Sequence, residues 1–277
     1  MGLLSLSLAI GAANGVFLAG LLAFSARGGM PTRILALLIA VLSWRSGTYI
    51  IGYAGAYDEH PWLTFFPFDL SLSYGPLLWL HVHSLTTGQL PKTWRWHFVP
   101  VTLQLAYFLA CFSLPMPAKW DWYSGPHLAY VEPFLSAAAL VSALVYLRMS
   151  HRVASSYQQW LDSAYANRDE ARLGGLRALI ISFAIVLLIG LGFALTQLVR
   201  PLNYFERFPL MVAFALLTYA LGVLGWRNSY ISFPLRDARP VGVELPHSPV
   251  EDPQPVASPE PRQRRAQGEE LLARVAA

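Results

Sequence analysis

The chain has 277 residues, 55% of them apolar and 13% charged, against about 45–50% apolar and about 25% charged in an ordinary soluble domain. That is too little charge to cover a globular surface in water, which argues against a soluble enzyme, a disordered chain or a collagen-like fibre. The net charge of +4 would suggest nucleic acid in a soluble protein; in an apolar chain it reads as Lys and Arg facing an anionic leaflet. The one cysteine, Cys111, allows no intrachain disulfide and no Cys-rich metal site.

A membrane-spanning helix needs about 20 mostly apolar residues. Seven stretches qualify: Leu3–Phe24, Arg33–Tyr53, Trp62–Ser84, Phe98–Leu114, Tyr130–Leu147, Leu176–Leu198 and Phe208–Trp226, the fourth and fifth being short. The expected fold class is therefore all-α, a polytopic membrane protein of seven transmembrane helices. No basic residue precedes Arg27, so the first stretch lacks the basic flank of a signal peptide and reads as a retained span.

Basic residues crowd the odd-numbered loops: Arg27 in the first, Lys92 and Arg95 in the third, Arg152, Arg168 and Arg172 in the fifth. The even loops carry Asp58 and Glu59, then Lys119, and finally Arg200 and Arg207, which count against the pattern. The balance predicts an N-out/C-in orientation. On that reading, Lys119, Arg200 and Arg207 lie outside and Arg45 within the membrane. The other sixteen of the twenty Lys and Arg face the cytoplasm. Trp62, Trp120, Trp122, Tyr123 and Tyr130 fall at the outer edge, where aromatic belts form.

The fifth loop, Ser150–Gly175, carries Val153, Tyr157, Trp160, Leu161 and Tyr165 at helical spacing. It reads either as an amphipathic interfacial helix or as an extension of the membrane helix. After Phe233, eight prolines crowd the stretch from Pro234 to Pro261, which predicts an extended linker that buries no core. A last short helix is expected from Gln263, with Leu271, Leu272 and Val275 on one face. The domain reading is thus a transmembrane domain over 1–233 and a Pro-rich cytoplasmic linker over 234–277.

The residues that stand out chemically are few. Arg45 lies within the second span and Asp69 within the third, roughly 12 Å and roughly 10 Å below the outer edge at ~1.5 Å per residue. A charge at that depth needs a partner or water. An Arg45–Asp69 pair is expected, either as an ion pair joining two helices or as part of a polar ligand pocket opening outward. Glu132, at the start of the fifth span, would line the same cavity. Asp58, Glu59, His60, Asp121 and His127 either cluster outside or are solvated loop residues. His81, His83 and His97 gather near the inner leaflet, but i and i+2 point to different helix faces. The spacing matches no ligand motif, so no metal and no cofactor is expected. No GxSxG, HExxH or P-loop pattern occurs, and the seventh span has no lysine for a retinal Schiff base. No catalytic residue is assigned, and the chain is not expected to be an enzyme. Gly75-Pro76 interrupts the third span and would kink it.

The run Tyr74-Gly75-Pro76-Leu77-Leu78-Trp79-Leu80-His81-Val82-His83-Ser84-Leu85-Thr86, followed by a short basic loop and His97-Phe98-Val99-Pro100, resembles the seven-helix sensor domain of bacterial membrane-bound AraC-type transcription regulators. There the run reads roughly GPLLYLYVRSLT. The likeness extends over the seven-helix layout, the long fifth loop and the terminal helix. It implies a multi-pass protein of the bacterial inner membrane that relays a signal to an AraC-type DNA-binding output. The ligand, an unidentified small molecule, would enter near Arg45, Asp69 and Glu132. Gly75, Pro76 and Trp160 would act as hinge and relay, and self-association as a homodimer would be expected. His83 stands where Arg is common, so no role of that Arg carries over. The double helix-turn-helix of these regulators has no counterpart in the 277 residues. The chain is thus expected to be a sensor fragment, a truncated product or a stand-alone module, touching DNA only through an output domain that it does not contain. The competing expectation is a small polytopic transporter or membrane enzyme, with Arg45, Asp69 and the histidines lining one polar path.

Overall fold

The structure is a computed structural model that describes residues 2–25, 29–164, 170–200, 202–203 and 205–229, without the side chains of 164, 170–173, 198, 228 and 229. Every regular element among them is helical. They all fall within the first of two units of the chain, Met1–Asp237. The expected Pro-rich linker and terminal helix lie outside the described residues.

Helix α1, Leu3–Ala23, contains no charged residue and is about 31 Å long at ~1.5 Å per residue. Helix α2, Gly29–Arg45, follows and is separated by Ser46 alone from α3, Gly47–Tyr53. A single turn, α4 (Ala56–Glu59), leads into an irregular stretch with 3₁₀ turns at Pro61–Leu63 and Ser71–Ser73. Helix α5 covers Tyr74–Thr87, and a 3₁₀ turn at Trp94–Phe98 leads into α6, Val99–Phe112. From Met116 the chain is helical to Ala164: α7 (Met116–Trp122), a π-helical segment (Tyr123–Val131) and α8 (Glu132–Ala164). Helices α9, Glu170–Val199, and α10, Phe208–Ser229, complete the bundle.

Five of these helical stretches are long and apolar enough to cross a membrane: Leu3–Ala23, Gly29–Tyr53, Met116–Ser163, Gly174–Gln197 and Phe205–Arg227. They present large apolar side chains outward, among them Phe17, Phe134, Leu188 and Leu216, each about two-thirds exposed. That is a surface suited to lipid rather than water.

The third expected span takes a different form, and the fourth is as short as expected. Their helices, α5 and α6, have 14 residues each, about 21 Å at ~1.5 Å per residue. For the third, the reason lies in the prolines. Pro61 and Pro67 interrupt the chain ahead of α5, and a ring inside a helix removes a hydrogen bond and collides with the preceding turn. Hydropathy averages over such residues without registering them. The expected kink at Gly75-Pro76 is likewise absent. Pro76 is the third residue of a new helix, where a missing N–H leaves no bond unmade. Gly75 instead allows close packing: a Cβ there would stand 2.8 Å from the Tyr146 ring and 3.2 Å from the Ser142 carbonyl of α8. Helix α5 ends at Gly88, whose φ of 75° is left-handed and whose N–H bonds the Ser84 carbonyl, a glycine C-cap.

The main core joins α1, α2, α5, α8, α9 and α10 around Leu35, Leu38, Leu42, Leu78, Leu179 and Leu221. Helices α1 and α10 run parallel, since Gly11 meets Ala215, Gly15 meets Thr218, Leu18 meets Gly222 and Leu22 meets Gly225 in order. Of the two readings of the fifth loop, the structure has the membrane-helix extension over 150–164. Its inner face buries Ser150 and Tyr157, while Tyr165 lies outside the described residues.

Candidate functional site

The irregular stretch 64–73 sits among α2, α6 and the π-helical segment, and its backbone cannot satisfy itself as a helix would. Side chains from its neighbours do so instead. The Trp44 indole N–H donates to the Pro67 carbonyl at 2.9 Å. The Leu72 N–H donates to Gln104 Oε1 of α6 at 3.2 Å, and the Ser71 N–H to Asp69 Oδ1 at 3.0 Å. The Gln104 amide Nε2 in turn donates to Asp69 Oδ1 and to Ser71 Oγ, both at 3.3 Å. Non-helical backbone at membrane depth is tolerated where protein surrounds it in this way. Gly47 makes room on the α3 side, because a Cβ there would collide with the Phe68 ring.

Asp69 Oδ2 faces the Arg45 guanidinium at 3.4 Å, with about a fifth of each side chain exposed. The expected pair therefore forms. Its two carboxylate oxygens are divided: one holds the irregular backbone, the other holds the charge at the end of α2. Arg45 also lies over the Tyr49 ring, 5.6 Å from its centroid.

Glu132 is brought to the same end of the bundle but has a partner of its own. Arg207 Nη1, just ahead of α10, donates to Glu132 Oε1 at 2.8 Å, both side chains about a quarter exposed. The three expected residues thus belong to two ion pairs. Glu132 and Arg45 remain close enough to interact electrostatically, and Tyr49 and Tyr74 lie within the same range of Arg45. The Tyr74 hydroxyl is buried and has no hydrogen-bond partner. Above this group, burial pushes the Tyr57 phenol up to about 12, aided by Tyr123 and opposed by Arg45, so it remains a protonated donor at neutral pH. Two cations, two anions and several tyrosines form a polar centre at the end of an apolar bundle.

His127 does not join Asp58, Glu59, His60 and Asp121, which are exposed. It is buried in an aromatic cage, its Nδ1 2.8 Å from the Tyr107 hydroxyl and its ring 4.7 Å from Phe65. Phe65 has a φ of 68°, a strained value for a bulky residue, and the cage holds it there. Lys119, expected as a lone loop cation, is buried as well. It donates to the Trp62 carbonyl at 3.1 Å and lies 4.8 Å from the Phe112 ring centroid.

The three histidines of the opposite end have different partners. His81 Nδ1 lies 2.8 Å from the Pro31 carbonyl, to which it donates, and its Nε2 is buried without a partner. His97 Nδ1 lies 2.7 Å from the Tyr146 hydroxyl. The rings of His83 and His97 pack on Trp79 at 5.5 and 4.7 Å. Among the described residues no three His, Cys, Asp or Glu side chains gather to hold a metal ion. Trp160 is half-buried on α8, 5.7 Å from the buried Tyr157 ring.

Gln104 escaped the sequence reading, while Arg207 and His127 entered it only as loop residues and Tyr74 only as part of the family run. Gln104 carried the clearest signal, as an amide amid the apolar residues of the fourth stretch. Arg207 and Glu132 each stand at the same end of an apolar stretch, which is a hint of pairing that loop counting discards. No known family, curated protein or solved structure matches the chain.

Proposed function

We propose that the chain is a seven-crossing, N-out/C-in sensor of the bacterial inner membrane, of the kind attached to AraC-type regulators, with its ligand taken at the polar centre around Arg45, Asp69 and Glu132. One observation carries the reading: the polar centre and the far end of the bundle share a single helix. Glu132 opens α8 and Trp160 lies near its other end, about 42 Å away at ~1.5 Å per residue. A shift of the Glu132–Arg207 pair on ligand binding is transmitted along that rod to Tyr157 and Trp160. Helix α5 is packed against it through Gly75.

Seven crossings are supported by direction. Helix α5 runs parallel to α8, with Gly75 against Ser142 and Tyr146, and Val82 further along in one apolar cluster with Leu147 and Val153. Helix α6 returns the other way, taking His97 near Tyr146 to Phe108 near His127. The irregular stretch 64–73 and α5 would together make the third crossing. The orientation is supported by the exposed Arg148, His151 and Arg152 on α8, beyond its apolar part and away from the polar centre.

The test is thermal stabilisation of the purified protein across a library of small polar molecules, repeated with Arg45→Ala and with the charge swap Arg45→Asp/Asp69→Arg. A hit that stabilises the native protein by several degrees and neither variant supports the site, provided the swap melts near the native temperature. A hit that stabilises all three proteins equally removes it. A ligand that is carried across proteoliposomes would favour the transporter instead.

A further inference from the structure

Helix α1 carries one side chain that suits its surroundings poorly. Asn14 is the twelfth residue of a 21-residue apolar helix, about 2 Å from its midpoint at ~1.5 Å per residue, and its side chain is exposed. No hydrogen bond is made by its carboxamide within the described protein. Tyr219 is the twelfth of 22 residues in α10 and is 59% exposed, and its hydroxyl is likewise without a partner among the described residues. Both line one groove of about 260 Å³, with Ser7, Leu8, Gly11, Val212, Ala215 and Leu216 as its walls. The groove faces away from the core, and its depth places it at the centre of any bilayer that α1 and α10 cross.

Hydrocarbon offers a carboxamide neither donor nor acceptor, so an Asn exposed to it gains strongly by finding a partner in another helix. We propose that the α1/α10 groove is the face on which two copies of this chain associate, with Asn14 of each hydrogen-bonding Asn14 or Tyr219 of the other. The chemistry of the residue favours a second copy. A carboxamide is its own complement, with an N–H donor and a carbonyl acceptor, so a two-fold axis through the groove satisfies both protomers with one reciprocal pair. Gly11, Ala215 and Ser7 leave the wall low enough for a neighbouring helix to approach closely. Ile10, Phe17 and Leu216, 56%, 64% and 65% exposed, supply the apolar contact around the polar pair. A lipid tail fills the groove but leaves Asn14 unsatisfied. The inference requires that α1 and α10 cross a membrane and does not depend on the ligand site or on any output domain.

The experiment is energy transfer between donor- and acceptor-labelled full-length chains reconstituted into liposomes across a range of protein-to-lipid ratios. The native protein is expected to show saturable transfer, Asn14→Leu to weaken association about tenfold, and Tyr219→Phe to weaken it less. Neither variant removes a hydrogen bond within the described protomer, so both are expected to melt near the native temperature. Leu188→Ala, on the exposed face of α9, leaves transfer unchanged. In a Cys111→Ala background, Ile10→Cys forms a self-cross-link under mild oxidation, and Leu188→Cys does not. A native protein that stays monomeric at every ratio overturns the proposal. So does Asn14→Leu associating as strongly as the native chain, or cross-linking that is equal at positions 10 and 188.

Discussion

Where α1 meets α2 and α10, helices come together because side chains are missing. A Cβ on Gly15 would collide with the Ser43 hydroxyl, one on Gly225 with Leu35, and one on Gly222 would press on Leu18. Around residues 61–73 the chain is held by side chains that reach in: Trp44, Gln104, Asp69 and Lys119 each bind backbone that has no helix to complete. The first contact is dispersion between close backbones, which lipid does not weaken. The second is a set of polar bonds shielded from water, where each donor lost strands an acceptor. The contrast sets a seam of close backbone contacts against a segment held by polar bonds, and the proposed ligand site rests on the second.

The largest effect is expected from breaking the stitching at its centre. Asp69→Ala removes the partner of Arg45 and the acceptor for the Ser71 N–H and the Gln104 amide in one step. We expect a loss of about 3 kcal/mol of stability, read as the shift of the unfolding midpoint in detergent. Asp69→Asn retains the Oδ1 contacts and should lose about half as much. Equal losses for the two would mean that the ion pair, and not the backbone contacts, holds the segment.

The glycine seam should yield somewhat less. Gly15→Ala inserts one carbon against Ser43 and is expected to cost about 2 kcal/mol by overpacking. Pairing it with Ser43→Gly should restore most of that loss, because the space is vacated from the other side. A double variant no more stable than Gly15→Ala alone would place the strain elsewhere.

These two regions also differ in how far the sequence exposes them. The long helices, and with them the five stretches long and apolar enough to cross a membrane, follow from continuous apolar runs, and the Arg45–Asp69 pair follows from depth along two neighbouring stretches. Both inferences use one chain property at a time. The form of the third stretch does not follow, because Pro61 and Pro67 act on backbone geometry that hydropathy does not measure; the fourth follows within a few residues. Nor does the Glu132–Arg207 pair, whose members are 75 residues apart and meet only when α8 and α10 are packed. His127 and Lys119 read as loop residues: the π-helical segment that carries His127 inward has no distinct pattern in the sequence, and α7, which carries Lys119, is only seven residues long.

That second ion pair offers a smaller test of the polar end. Arg207→Ala leaves Glu132 without its partner at a position about one-quarter exposed, and we expect a loss of about 1.5 kcal/mol, below that of a fully buried pair. The double variant Arg207→Ala/Glu132→Ala should recover part of the loss, since no unpaired charge remains. A double variant that is worse than the sum of its parts would show both residues making further contacts of consequence, and would weaken the view of the pair as a movable element at the head of α8.

The smallest expected effect is the one that best separates architecture from function. The Tyr74 hydroxyl is buried beside the Arg45–Asp69 pair, with its ring 6.0 Å from Phe214, and it bonds to nothing. A buried hydroxyl without a partner is destabilising, so Tyr74→Phe should raise stability by up to about 1 kcal/mol. If the polar centre is a ligand site, the same variant should bind a stabilising molecule less well, having lost the group left free to meet it. Stability and affinity then move in opposite directions, measured as the midpoint without ligand and the midpoint shift with it. A purely structural Tyr74 hydroxyl, satisfied by a contact within the fold, predicts a lower midpoint and an unchanged shift.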